Sequence, residues 1–214
     1  YVSFSGGKDS TVMLHLVMDE AIKRDRTVGV LFVDLEGQYK LTIDHIQHCY
    51  DMYAAHVEPF WVCLPISLRN AVSVYEPKWT AWEPGRENDW IRQPPPMAIT
   101  DHDYFPFFYY NPGHRAMEFE EFVPAFGEWY ARDKLTACFV GIRTGESLNR
   151  WRTIAGHGTK FEGRNWCGHV LKSIWNVYPI YDWNNEDVWV YPGQFNKPYS
   201  NLYDRMHQTG LSLR

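Results

Sequence analysis

The hydrophobic positions of the first 64 residues alternate between two patterns, one typical of buried strands and one of amphipathic helices. Apolar runs at 1–4, 28–33 and 60–64 predict buried strands. Between them, residues 10–24 and 42–55 place their apolar side chains on one helical face. This order of strand, helix, strand, helix and strand predicts right-handed βαβ units and a parallel sheet.

The second half of the chain continues the same alternation. It predicts a helix at 118–134, a strand at 136–142, a helix at 146–155, a strand at 178–181 and a helix that begins after Asn184. Residues 156–168 are rich in glycine, lysine and arginine, which indicates a mobile loop. We therefore expect an α/β fold in one domain over residues 1–214: a doubly wound, mostly parallel sheet of five strands with helices on both faces.

The pattern lapses between residues 65 and 112. This segment contains three separate tryptophans, three consecutive prolines at 94–96 and an aromatic cluster at 105–110. Such a density of large apolar side chains argues against a disordered linker. We expect an insertion of short irregular elements here. It forms either a satellite core under a long loop, or a substrate lid or partner-binding surface.

The charge balance and the hydropathy exclude several classes of partner. The net charge is -5, so the chain has no overall basic field for nucleic acid or an anionic membrane. No apolar run reaches the roughly 18 residues of a membrane span, and no signal peptide is recognisable, so we expect no membrane partner.

Four cysteines lie far apart, without a C-x-x-C pair. This spacing argues against a zinc ribbon and a disulfide framework, and it favours a reducing, cytoplasmic compartment. Tyr1 opens directly into an apolar run without an initiator methionine, and Arg214 closes a polar stretch. We expect the natural protein to extend beyond both ends.

The strongest chemical signal is a hexapeptide between the first strand and the first helix. Its residues are Ser5, Gly6, Gly7, Lys8, Asp9 and Ser10. Two glycines allow a sharp turn that exposes backbone N–H groups, and the following helix directs its positive end at the same point. The serine hydroxyls and the Lys8 ammonium add donors and positive charge. The loop therefore predicts a phosphate cradle, although it lacks the Walker A spacing.

A second polar group follows the strand predicted at 136–142. Arg143 emerges at the carboxyl end of that strand, where open α/β sheets bind ligands. Arg143 and Arg150 can form bidentate contacts with phosphate or sulfate, and Glu146 can orient one of them or cap the next helix. Six basic and two acidic residues occur between Arg143 and Lys172. That balance suits either a small phosphorylated ligand or a solvated basic surface.

These motifs resemble those of a known family. The hexapeptide resembles the S-G-G-x-D-S signature of the PP-loop ATP pyrophosphatases, and the chain is most similar to their phosphoadenosine phosphosulfate (PAPS) reductase branch. Four further segments carry the resemblance: F-V-D at 32–34, G-I-R-T-G-E-S-L-N-R at 141–150, Y-P-I-Y-D-W-N-N-E-D-V-W at 178–189 and N-K-P-Y-S-N-L-Y-D at 196–204. They occur in the family's order and span most of the chain outside residues 65–112.

The resemblance implies a site at the carboxyl ends of the strands. The hexapeptide would bind the phosphates of ATP or of a sulfonucleotide, either PAPS or adenosine phosphosulfate. Asp34 would contact the nucleoside, although a simple turn residue is the alternative. Arg143 and Arg150, with Glu146, would hold a distal anionic group. Lys8, Asp9 and Arg143 are the candidate catalytic residues, and Asp9 either holds Mg²⁺ or caps the helix.

The chain also departs from the family pattern. A PAPS reductase needs a nucleophilic thiol, and no cysteine follows Cys167. The paired cysteines of iron–sulfur members are absent, so we predict no iron–sulfur cluster in this chain. Cys167 has basic neighbours that would favour its thiolate, but an ordinary loop thiol is the alternative. His157, Cys167 and His169 fit no standard zinc spacing.

Three functions follow from these features. The first is sulfonucleotide reduction, in which a thiol attacks sulfur. The second is attack at the α-phosphate of ATP, as in sulfate adenylyltransferase small subunits and sulfur-transfer enzymes of the PP-loop type. The third is a non-catalytic, nucleotide-sensing interaction protein. The expected partners are an adenine nucleotide, an acceptor or reductant protein, a protein bound at residues 65–112 and a second copy of the chain.

Overall fold

The computed structural model describes residues 1–156 and 160–211. The strands are β1 (Val2–Ser3), β2 (Val28–Val33), β3 (Val57–Val62), β4 (Ser67–Arg69), β5 (Lys78–Thr80), β6 (Tyr110–Asn111), β7 (Arg115–Ala116), β8 (Thr136–Val140), β9 (Cys167–Leu171) and β10 (Ile174–Val177). The helices are α1 (Lys8–Lys23), α2 (Lys40–Met52), α3 (Phe119–Ala131), α4 (Leu148–Ala155), α5 (Asn185–Phe195) and α6 (Leu202–Gln208).

The main sheet has six strands in the order β3-β2-β1-β8-β10-β9. β1 pairs in parallel with β2 and with β8, and β8 pairs in parallel with β10. β9 pairs with β10 in the antiparallel direction. The predicted α/β architecture, a mainly parallel sheet flanked by helices, is confirmed, but the sheet has one strand more than the five that we expected.

The additional strand is β9. It begins within the segment predicted as a loop at 156–168. Its five residues include Gly168 and His169, which interrupt the apolar positions and hid the strand pattern. Its pairing with β10, in which Cys167 lies opposite Val177, makes it a strand. The strand expected at 178–181 lies earlier, as β10. The Tyr181 amide instead donates to the Tyr178 carbonyl at 3.2 Å, in a turn. Residues 157–159 of the expected loop lie outside the described residues.

The chain divides into two compact units. The first comprises Tyr1–Leu31, Tyr39–Pro59 and Leu135–Arg214, and the second comprises Phe32–Gln38 and Phe60–Lys134. The insertion expected at 65–112 lies within the second unit. No helix in the described ranges is long and apolar enough to cross a membrane.

The second unit has its own aromatic core. Phe105, near the end of the expected insertion, packs 5.0 Å from Trp129 and 5.6 Å from Phe122, centroid to centroid. Phe126 lies 5.2 Å from Phe60. Phe105, Phe122 and Phe126 are all buried. Phe105 of the segment therefore belongs to a packed aromatic core, while a role of the segment as a lid or partner surface stays a prediction.

We expect the Phe105→Ala variant to lose about 3–5 kcal/mol of unfolding free energy, because it leaves a large cavity among aromatic rings. Urea denaturation measures this loss. Tyr75→Ala is the matched control in the same unit: its ring is 94% exposed, so the change should stay within about 0.5 kcal/mol. A loss of less than about 1 kcal/mol for Phe105→Ala would contradict the packed core.

Candidate functional site

The loop between β1 and α1 is braced by its two serines. The Ser10 hydroxyl donates to the Gly7 carbonyl at 3.0 Å and accepts from the Ser5 amide at 3.3 Å. The Ser5 and Ser10 hydroxyl oxygens lie 3.0 Å apart, in a hydrogen bond. These hydrogen bonds between hydroxyls and backbone hold the turn closed.

Gly6 is required by the conformation and by the packing. Its φ is +73°, and a Cβ at this position would lie 2.8 Å from side-chain atoms of Ile46 and 3.0 Å from Thr42. Both neighbours belong to α2. A larger residue at Gly6 would therefore push on α2 as well as strain the backbone.

The first turn of α1 presents its amides at this loop. The first backbone bond across the turn runs from the Thr11 amide to the Gly7 carbonyl at 2.9 Å. The amides that precede Thr11 have no hydrogen-bond acceptor within the helix, as at the start of any α-helix. One of them, the Lys8 amide, donates to the Tyr203 hydroxyl at 2.9 Å. The amide-rich, positive end of α1 thus opens onto the loop.

The charged residues of the loop meet in one cluster with Arg143. One oxygen of Asp9, Oδ2, lies 2.6 Å from the Lys8 ammonium. The other, Oδ1, accepts from Nε of Arg143, whose Nη1 donates to the Trp183 carbonyl at 3.3 Å. The side chains of Lys8, Asp9 and Arg143 are mostly buried. Two cations against one carboxylate leave a positive charge in excess, which favours an anion here.

Gly141 lets the end of β8 approach α1 closely. A Cβ on Gly141 would lie 2.8 Å from the Ser10 Cα and 3.0 Å from the Asp9 carbonyl oxygen. Both contacts are to backbone, which cannot move aside as a side chain can. This close approach carries the segment after β8 to the loop and delivers Arg143 to Asp9.

A buried histidine supports the loop from behind. Nε2 of His45, on α2, lies 2.9 Å from the Thr11 hydroxyl in a hydrogen bond. Burial, with a smaller effect of other histidines, lowers the pKa of His45 from 6.5 to about 4. His45 is therefore neutral at physiological pH and adds no positive charge to the site.

Two other predicted residues lie at the surface. Arg150 and Glu146 are both substantially exposed, and their charged groups are 3.7 Å apart. Ser147, between them, caps α4 by accepting from the Arg150 amide at 3.2 Å. In the described part of the chain no contact joins either side chain to the hexapeptide. Their role toward an anionic ligand stays a prediction.

Asp34 organises the second unit. Its Oδ2 accepts from the Trp61 indole at 2.8 Å, and its Oδ1 accepts from the Glu36 amide at 3.0 Å and pairs with Arg92. The Asp34 carbonyl accepts from the indole of Trp82 at 2.6 Å. The Asp34 side chain is fully buried and joins three neighbours of its own unit, and the carbonyl joins a fourth. The predicted contact to a nucleoside stays a prediction.

The residues around Asp9 do not form a metal site by themselves. Both carboxylate oxygens already face cations, and the described residues include no cluster of three histidine, cysteine, aspartate or glutamate side chains suited to a metal ion. Hard cations such as Mg²⁺ need free oxygen ligands. Mg²⁺ at Asp9 stays a prediction. His157, considered above as a metal ligand, lies outside the described residues.

All four cysteines are buried. The Cys167 thiol, the one with basic neighbours in the sequence, donates to the carbonyls of Arg164 and Phe161 at 3.6 and 3.9 Å. Burial raises the pKa of the Cys49 thiol to about 12. The geometry of Cys167 agrees with an ordinary structural thiol.

Three contributors to the cluster were absent from the sequence-based site. They are Tyr203, Gly141 and the Trp183 carbonyl. Each lies within a segment that carried the family resemblance, at 141–150, 178–189 or 196–204. That resemblance was the feature of the sequence that could have indicated them. No local pattern pointed to their contacts, because backbone groups and a lone tyrosine have no characteristic spacing.

Comparison with known proteins identifies a family that agrees with the motifs. The sequence profile of the phosphoadenosine phosphosulfate reductase domain matches residues 1–209. The protein YbdN of Escherichia coli (strain K12), itself uncharacterized, is 42% identical over 221 residues, which cover all of this chain and 52% of YbdN. The chain therefore spans about half the length of that relative.

Two solved structures share the fold. A PAPS reductase from Candida auris, in a phosphate complex, matches with a TM-score of 0.50 and 15% identity over 95% of this chain and 76% of its own. An FMN adenylyltransferase from Candida glabrata, in complex with FMN and an ATP analogue, matches with a TM-score of 0.52 and 13% identity over 94% of this chain and 50% of its own. At such low identity the likeness extends to the fold alone.

We expect Gly141→Ala to destabilise the chain by about 1–3 kcal/mol, because its methyl group would meet the backbone of α1. The measurement is urea unfolding. Gly145→Ala is the control, since no heavy atom lies within 4 Å of its Cβ position, and it should be close to neutral. Equal stabilities for the two variants would refute the close approach of β8 and α1.

Acidification should destabilise the fold through His45. Above pH 6.5 the imidazole is neutral in both states, but between pH 6.5 and 4 the unfolded chain takes up a proton that folded His45 does not, so the unfolding free energy falls. At about 1.4 kcal/mol per pKa unit, the loss is on the order of 3 kcal/mol. Urea unfolding at pH 7 and 4.5 should show a shallower loss in His45→Gln. His102→Gln, which removes an exposed imidazole, should match the parent. If His45→Gln lost as much unfolding free energy between pH 7 and 4.5 as the parent, the role assigned to His45 would be wrong.

Proposed function

This chain belongs to the phosphoadenosine phosphosulfate reductase domain family, and from that premise we propose that it binds an adenine nucleotide whose phosphates rest on the hexapeptide Ser5–Ser10. We propose further that it is an enzyme that acts on the bound nucleotide. The family match agrees with the resemblance carried by the motifs. Because the chain spans about half of its E. coli relative, this proposal concerns the present domain.

The observation that carries the proposal is the Lys8–Asp9–Arg143 cluster at the positive end of α1. A polyphosphate needs donors and positive charge at fixed positions, and the loop offers backbone amides, the Lys8 ammonium and a net positive charge in one place. Asp9 is already bonded to both cations, so it holds them in position rather than leaving them mobile.

For the reaction, we propose chemistry at the α-phosphate of ATP. A nucleophilic oxygen of a second substrate attacks the α-phosphorus, the bond to the bridging oxygen breaks, and pyrophosphate leaves. Lys8 and the amides of α1 would stabilise the charge that develops on the leaving group. The buried state of all four cysteines favours this reaction over one that needs an accessible thiol in this domain. The fold neighbour crystallised with FMN and an ATP analogue is compatible with it.

The second candidate is sulfonucleotide reduction, and the family match favours it. Its thiol would have to come from outside the four cysteines of this chain, either from the remainder of a longer protein or from a reductant protein. In that reaction Arg143 and Arg150 would hold the sulfate or the 3′-phosphate. Sulfur metabolism or sulfur transfer is the context of both candidates.

The other ligand contacts are part of the same proposal. The Asp34 side chain would contact the nucleoside only if one of its present partners gave way, because it is fully buried. Mg²⁺ would be held mainly by the phosphates of the nucleotide, with Asp9 as a neighbour, since both oxygens of Asp9 face cations. A cytoplasmic location and a homo-oligomer are further proposals.

Titration of two variants with two nucleotides separates the candidates. If ATP is the substrate, Lys8→Ala should weaken ATP binding about ten- to a hundredfold, because a charge-assisted contact contributes about 1.5–3 kcal/mol. PAPS should then bind the parent poorly. If a sulfonucleotide is the substrate, Arg143→Ala should weaken PAPS binding by the same factor, and ATP should be a poor ligand throughout.

Exposed residues provide the controls. Lys23→Ala removes a lysine at the far end of α1, and Arg164→Ala removes an arginine that pairs with Glu162. Both variants should leave the nucleotide affinities unchanged. They therefore distinguish the loss of a local contact from the loss of one positive charge. If neither nucleotide binds the folded parent below millimolar concentration, both enzymatic candidates fail, and the non-catalytic interaction protein becomes the better account.

A further inference from the structure

The Tyr203 hydroxyl lies beside the hexapeptide loop. It accepts a hydrogen bond from the Lys8 amide at 2.9 Å. A Cβ on Gly7 would lie 3.7 Å from this hydroxyl and 3.5 Å from the Ser5 hydroxyl, so the two hydroxyls flank Gly7. Tyr203 thus brings a polar atom to the loop from a position 195 residues away in the chain.

The segment that precedes Tyr203 is fastened to the helices behind the loop. The Lys197 ammonium pairs with Asp19 on α1 at 2.5 Å, and the Pro198 carbonyl lies 2.8 Å from Nε2 of His15 in a hydrogen bond. The Ser200 hydroxyl donates to the Leu41 carbonyl on α2 at 3.4 Å. These contacts hold the segment against both helices and therefore fix the start of α6.

The ring of Tyr203 is held as well. Trp189, on α5, packs against it edge to face at 5.2 Å, and Trp189 also lies 5.8 Å from Tyr199 in the same manner. Edge-to-face aromatic pairs have a defined geometry. The hydroxyl is therefore presented by a supported ring rather than by a free side chain.

The proton of the Tyr203 hydroxyl remains available. A phenol donates one hydrogen bond and accepts others. In the described part of the chain the hydroxyl accepts from the Lys8 amide, and no acceptor there takes its own proton. Burial raises the pKa of Tyr203, and the negative charge of Asp9 raises it further, against the lowering effect of the Lys8 amide. The phenol is thus a donor at neutral pH.

We propose that Tyr203 is a phosphate-binding residue. Its hydroxyl accepts from the Lys8 amide and donates its proton to a phosphate oxygen of the nucleotide on Ser5–Ser10. This rests on the proposed function, and it adds a residue from the far end of the chain to the phosphate site. The alternative is a helix cap that the phosphate displaces. The two roles predict opposite changes in phosphate affinity when the hydroxyl is removed. Loss of a donor weakens phosphate binding, whereas loss of a competing cap strengthens it.

Replacement of Tyr203 by phenylalanine tests the proposal, because it keeps the ring packed on Trp189 and removes the hydroxyl alone. Calorimetry with inorganic pyrophosphate, ATP and PAPS should show about a tenfold or greater loss for each ligand that binds the parent. Adenosine, which has no phosphate, should bind parent and variant alike. A purely structural role would not produce this split between ligands.

Tyr199→Phe is the matched control. It removes an exposed hydroxyl that donates to Asp204 at 2.9 Å, and it should leave every affinity unchanged. Unchanged or tighter pyrophosphate binding in Tyr203→Phe overturns the proposal and leaves the proposed function intact. If the folded parent binds none of the phosphate-bearing ligands, the proposed function fails and this proposal fails with it.

Discussion

The carboxylate of Asp9, shared between Lys8 and Arg143, is the interaction on which the arrangement of the site depends. It joins the loop after β1 to the segment after β8, two strands that lie side by side in the sheet. Removing one partner from such a buried cluster costs about 3–5 kcal/mol, because the remaining charges lose their compensation. Two cations held by one anion are also a site for a further anion, so the same interaction that fixes the loop prepares it for phosphate.

Close packing around two glycines holds this arrangement in place. Gly6 lies against α2, and Gly141 lies against the first turn of α1, with no space for a Cβ at either position. His45, neutral because burial lowers its pKa, supports Thr11 without adding charge. A loop held by close packing on two sides loses little conformational freedom when a ligand binds, and such preorganisation increases affinity.

The second unit shows a different use of buried polar groups. Asp34 and Glu36 accept hydrogen bonds from the indole of Trp61, the indole and amide of Trp82, and the amide of Ile91. A buried tryptophan needs an acceptor for its indole N–H. The Asp34 carboxylate accepts from the Trp61 indole, and the Asp34 backbone carbonyl accepts from the Trp82 indole. The high tryptophan content therefore belongs in part to a core, and Asp34 stabilises that core whatever else it contacts.

The sequence by itself determined those features that depend only on residues close together in the chain. The runs at 28–33 and 42–55 predicted β2 and α2, and the six adjacent residues Ser5–Ser10 predicted the phosphate cradle before a fold was known. Local patterns suffice there, because strand and helix periodicity and glycine turns are properties of consecutive residues.

Only the tertiary structure decided what depends on distant residues. It made a strand of β9 by pairing it with β10, and it joined Asp9 to Arg143 and Lys8 to Tyr203 across 134 and 195 residues. It also buried the Asp34 side chain and all four cysteines. These outcomes follow from which elements pack together, and that is set by the burial of apolar faces over the whole chain rather than by any local pattern.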